Sequence, residues 1–123
     1  MYPNPMGDAV NAGNSRTGRK LNPAVLADIV RRIVKAARPE KVILFGSAAR
    51  GQMGPNSDVD LLVVKSGRFN RRKLTVDIYR RMHGAGQAVD VVVVTPEDIE
   101  RYRDSDCLVI WPALREGKIV YAA

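Results

Sequence analysis

Apolar residues first recur at helical spacing over Leu26, Ile29, Val30, Ile33, Val34 and Ala37, which make one face, with Arg31, Arg32 and Lys35 between them. Asn22 followed by Pro23 predicts the start of that helix, as an N-cap and a proline at the first helical position. Pro39 predicts its end, because proline disfavours helical backbone in the residue before it. The pattern then shifts to short apolar runs. Lys41–Phe45 predicts a buried strand, residues 46–54 a turn of small residues with one helical turn at most, and Asp58–Val64 a second strand. A polar loop over 65–70 leads into a basic amphipathic helix over Arg71–Met82, with Leu74, Ile78 and Met82 on one side and Gly84 and Gly86 as its break. The valine-rich stretch Ala88–Val94 predicts a third strand, central in the sheet and covered on both faces. Thr95, Pro96 and Asp98 predict another helix start, with Thr95 as N-cap and Asp98 as the capping-box acid. Asp106–Arg115 predicts either its continuation or a second helix after a break near Asp104, with Pro112 in a first turn or at a kink. Gly117 ends it, and Lys118–Tyr121 predicts a last short strand. This order describes an α/β domain built on one sheet.

Residues 1–20 carry Asn, Gly, Pro and Ser and almost no large apolar side chains, so they read as a disordered or loosely attached tail before a domain spanning 21–123. The chain of 123 residues fits one domain, and its longest apolar runs, Leu61–Val64 and Val91–Val94, are strand-sized, so no membrane association is expected. A single cysteine, Cys107, forms no internal disulfide and points to a reducing cytoplasm. One Cys and one His also exclude a structural zinc site, leaving oxygen ligands and a hard cation such as magnesium. The net charge of +7 suits a polyanionic partner, although the basic clusters at Arg16–Lys20, Arg68–Lys73 and Arg80–Arg81 are spread along the chain.

Three features carry chemistry. Gly46-Ser47 follows the first strand directly, where a glycine turn into a helical segment aims backbone N–H groups at phosphate oxygens. Asp58 and Asp60 lie two apart at a strand start and so face the same way. Two such carboxylates repel unless a cation lies between them. Asp90 opens the third strand, and if that strand pairs beside the second, three carboxylates gather where one or two magnesium ions would serve nucleotidyl transfer.

Gly46-Ser47-Ala48-Ala49-Arg50-Gly51, then Ser57-Asp58-Val59-Asp60-Leu61, resembles the signature of the nucleotidyltransferase superfamily typified by DNA polymerase beta. It is most similar to the minimal nucleotidyltransferase (MNT) branch, whose pattern is Gly-Ser, ten residues, Asp-x-Asp. The ten residues here are Ala48–Ser57. The resemblance extends to the closing Glu116–Tyr121 and implies a polymerase beta-like fold, a small mixed sheet flanked by helices. It implies that Gly46 and Ser47 hold the triphosphate of ATP or another nucleoside triphosphate, with Ser57 beside them. Arg50 either stabilises the turn or approaches the phosphates. Asp58 and Asp60 hold the Mg2+ ions, and Asp90 is the third carboxylate, orienting or deprotonating the attacking hydroxyl.

Short chains of this branch commonly work with a separate helical HEPN protein as a toxin–antitoxin pair, the MNT member in some cases adding AMP to a tyrosine of the toxin. The resemblance therefore implies a HEPN-type partner and an oligomeric assembly. The toxin's Arg-x4–6-His motif is absent, since Val76, Asp77 and Ile78 stand at the required offsets before His83. The competing readings are a non-enzymatic binding module, a transferase acting on a small molecule, and nucleotide addition to RNA, which the charge permits but the motifs do not favour. Trp111 is expected in the core, with Tyr102 and Tyr121 either core or partner surface.

Overall fold

The structure is a computed structural model that describes residues 21–54, 57–102 and 110–123. The expectations for the tail, for Cys107, for a break near Asp104 and for the side chains of Tyr102 and Trp111 lie outside what it describes. The elements in order are α1 (Pro23–Ala37), β1 (Lys41–Phe45), α2 (Gly46–Ala49), β2 (Val59–Val64), α3 (Arg71–Arg81), β3 (Val89–Val94), α4 (Pro96–Tyr102), α5 (Ile110–Glu116) and β4 (Lys118–Ala122).

Local chemistry explains the boundaries. Asn22 caps α1, its side-chain oxygen accepting from the Ala24 N–H at 2.8 Å, and Arg38 closes the helix in the left-handed region at φ 48°. Asn70 caps α3 by accepting from Lys73 N–H at 3.0 Å. At α4 the capping box forms as expected: Asp98 N–H donates to Thr95 Oγ1 at 3.1 Å, and Thr95 N–H donates to Asp98 Oδ2 at 3.0 Å. Pro112 occupies the first turn of α5, where its missing N–H removes no helical bond.

The four strands form one mixed sheet in the order β3-β2-β1-β4. β1 pairs antiparallel with both β2 and β4, and β2 pairs parallel with β3 across the α3 crossover. β3 is therefore an edge strand, which corrects the expectation of a central one. Its valines are apolar because helices cover both sheet faces, not because strands flank it on both sides. Val91 and Val93 pack with Ile29 and Ile33 of α1 and Leu74 and Ile78 of α3, while Val94 and Val92 pack with Ile99 of α4 and Ala113 of α5.

Alternation along the strands separates the two layers. Val42, Leu44, Val59, Leu61 and Val63 face α1 and α3, whereas Ile43, Leu62 and Val64 face α4 and α5. Arg32 ties α1 to the end of α3, its Nη1 donating to the carbonyls of Arg81 at 2.7 Å and His83 at 2.9 Å. The second apolar row of α1, Leu26, Val30 and Val34, is half-buried and lines a groove shared with Val120 and Tyr121 of β4.

Candidate active site

β1 ends at Phe45, and the chain turns at once into α2 through Gly46, whose φ of 72° lies in the left-handed region. Phe45 is the N-cap of α2 and supplies no side-chain acceptor to the leading amides of this turn. Phe45 is also the register partner of Asp60 across the antiparallel β1–β2 pair. The Asp60 carboxylate consequently lies against the bend: a Cβ added at Gly46 would collide with Asp60 Oδ2. Glycine is required there both for the backbone conformation and for the room it leaves to the acid.

On its other side Asp60 is the register partner of Asp90 in the parallel β2–β3 pair. Register partners on neighbouring strands point to the same sheet face, so the two carboxylates stand side by side. Asp58 is exposed and precedes β2, which begins at Val59 and not at Asp58 as expected. Val59 N–H donates to the carbonyl of Ala88 at 2.9 Å, so ladder pairing starts just beyond Asp58. Asp58 still acts on Asp60. Burial raises the pKa of Asp60, the charges of Asp90 and then Asp58 raise it further, and only Arg50 works in the other direction.

The three acids thus share one end of the sheet beside the Gly-Ser bend. Among the described residues they do not close into a ready-made metal-holding group. The donors are all carboxylate oxygens, and the unbalanced like-charge load on Asp60 is what a hard divalent cation would relieve. The residues present fit magnesium in that sense.

Arg50 and Ser57 have structural engagements. The Arg50 guanidinium lies 3.5 Å from Glu116 Oε1, joining the turn to the end of α5, and its Nε donates to Gln52 Oε1 at 3.3 Å. Ser57 Oγ accepts from Gly54 N–H at 2.8 Å, and Gln87 Nε2 donates to the Ser57 carbonyl at 3.1 Å. Arg71, within the basic cluster, pairs with Asp98 at 2.8 Å.

Sequence reasoning passed over Tyr79. This residue of α3 donates its hydroxyl to Asp90 Oδ1 at 3.2 Å and accepts from Val91 N–H at 2.8 Å. Burial raises its pKa, the Val91 N–H bond offsets part of that, and the Asp90 charge adds to the rise. The one available signal was its place beside Ile78 on the helix that crosses to the Asp90 strand. The pairing of Glu116 with Arg50 and the bond from Gln87 to Ser57 were also missed, since they depend on which segments meet.

The sequence matches the nucleotidyltransferase domain family over residues 25–118, most of its length, and the chain belongs to that family. The polymerase beta-like expectation for the fold holds, including the mixed sheet. No curated protein sequence matches it significantly. Among solved structures it resembles a Sulfolobus solfataricus protein assigned as a nucleotidyltransferase, at 24% identity over 80% of this chain and 78% of that one, with a TM-score of 0.55. It also resembles a chain of a toxin–antitoxin structure with AMP-PNP, at 19% identity over 78% and 73% of the two chains and a TM-score of 0.54. A chain of a variant of the toxin–antitoxin MntA-HpeT matches at 18% identity over 84% and 75%, with a TM-score of 0.53. At these identities the likeness is one of fold.

No helix among the described residues is long and apolar enough to cross a membrane.

Proposed function

We propose that this chain is a magnesium-dependent nucleotidyltransferase that moves AMP from ATP onto a hydroxyl, the acceptor being a side chain of a HEPN-type helical partner for which it serves as antitoxin. The observation that carries the reading is the register of Asp60 with Asp90, together with the contact of Asp60 against Gly46. Membership of the nucleotidyltransferase family supports the reaction class. The toxin–antitoxin chains that share the fold, one of them in a structure with AMP-PNP, support the choice of partner and nucleotide.

The residues divide the work. The amides of Gly46 and Ser47 hold the triphosphate against the end of β1, and Ser57 borders it. Asp58, Asp60 and Asp90 would hold magnesium, which would supply positive charge to the phosphate oxygens as pyrophosphate leaves. Asp90 orients the acceptor hydroxyl and takes its proton on a carboxylate oxygen. Arg50 keeps the turn fixed to α5 and supplies the positive potential felt at Asp60. Most of the acceleration comes from positioning and electrostatics.

The test is incubation of the protein with ATP, Mg2+ and the helical protein encoded beside it, read by intact mass. A gain of one AMP on the partner, absent with the Asp58→Asn/Asp60→Asn variant, is expected. No gain with any nucleoside triphosphate overturns the proposal. A double variant that neutralises the partner as well as wild type would show masking by contact alone.

A further inference from the structure

We infer that Tyr79 is a positioning residue for Asp90: a clamp at the free edge of the sheet that fixes which carboxylate oxygen faces the site. The inference rests on the carboxylate reading proposed above. β3 has β2 on one side only, so alternate backbone groups on its outer side lack a strand partner. Val91 N–H is satisfied there by the Tyr79 hydroxyl at 2.8 Å. The same hydroxyl has one proton to give, and it goes to Asp90 Oδ1 at 3.2 Å. The chain of donors therefore runs from the backbone of one residue, through the phenol, to the side chain of the residue before it.

The arrangement has three consequences. A carboxylate at an edge strand start is free to rotate about its Cα–Cβ and Cβ–Cγ bonds. A bond to Oδ1 removes part of that freedom and leaves Oδ2 as the oxygen not engaged by the phenol. The phenol is also anchored from behind. Tyr79 follows Ile78, which is fully buried against the sheet, so the helix that packs on β3 also sets the reach of the hydroxyl. Finally, Tyr79 is 40% exposed, so its hydroxyl could bond water instead, and its contact with Asp90 is not forced by burial. Outer-shell hydrogen bonds that orient a metal-holding carboxylate typically change metal affinity by about 10- to 100-fold when removed.

The test is a double-mutant cycle of Tyr79→Phe and Asp90→Asn. The readout is Mn2+ affinity in the presence of a non-hydrolysable ATP analogue, followed by electron paramagnetic resonance, with thermal melts of all four proteins. Tyr79→Phe should weaken Mn2+ about tenfold, and it should have no further effect in the Asp90→Asn background, because the hydroxyl acts only through that carboxylate. In the transfer reaction the same variant should lower kcat about tenfold and leave the KM for ATP unchanged. Wild-type Mn2+ affinity in Tyr79→Phe, or a loss that adds in full to that of Asp90→Asn, overturns the clamp while leaving the site intact. Absence of Mn2+ binding by the wild-type protein overturns both the site and the clamp.

Discussion

Replacing Gly46 by alanine separates two demands that meet at one atom. The backbone there has a φ of 72°, and an L-residue in that region costs about 1–2 kcal/mol. The new Cβ would also overlap Asp60 Oδ2 and stand 3.2 Å from Asp60 Cγ. The ladder to Phe45 and Asp90 fixes the Asp60 backbone and Cβ, so the overlap is relieved only by turning the carboxylate away from the bend. Overpacking of that kind adds about 1–3 kcal/mol. Gly84 is the matched control, with a φ of 84° and nothing within 4 Å of an added Cβ. Gly84→Ala should therefore carry the backbone term alone, lowering the melting temperature by about 4 °C per kcal/mol in a domain this size. Gly46→Ala should melt lower still and lose binding of the ATP analogue, measured by calorimetry, since the displaced acid would lie in the phosphate path. If the two variants melt together and Gly46→Ala binds the analogue like wild type, the acid is not seated against the bend and the reasoning fails.

Other outcomes follow from the same geometry. Asp60→Asn should lower transfer by about 10²- to 10³-fold. It should also raise the metal-free melting temperature at neutral pH, because it removes a carboxylate whose charged form burial and two acids disfavour. Asp98 should govern part of the acid limb of stability. The Thr95 N–H bond, aided by Arg71, holds its pKa below the usual carboxylate value. Its contribution is therefore complete above the ordinary pKa and disappears as pH falls through the lowered one. Asp98→Asn should flatten that limb in melts taken from neutral to strongly acid pH. Thr95→Ala should cost about 1 kcal/mol, read by denaturant titration, through loss of the other half of the capping box. Ser57→Ala should destabilise by about 1 kcal/mol, because Gly54 N–H loses its acceptor. It should leave analogue binding nearly unchanged, and a large loss of binding would make the Ser57 hydroxyl a phosphate ligand and not a loop brace.

Local signals in the sequence determined the elements and pointed to the candidate site. Asn22-Pro23, Thr95-Pro96 and Gly117 mark element ends through side-chain capping and backbone restriction, which depend on neighbours a few residues away. The Gly-Ser bend and the Asp-x-Asp pair are readable for the same reason: their spacing in one strand–turn–strand unit is already the spacing in the site. Only the tertiary structure decided which strand lies beside which. A valine run reports that both faces are covered, and helices cover an edge strand as well as a central one, so β3 was misplaced by its composition. The partnership of Asp60 with Asp90, the reach of Tyr79 around the sheet edge and the tie from Arg50 to Glu116 each join segments far apart in the chain. Register and crossover arise from burial shared by distant elements, and no local pattern encodes that shared burial.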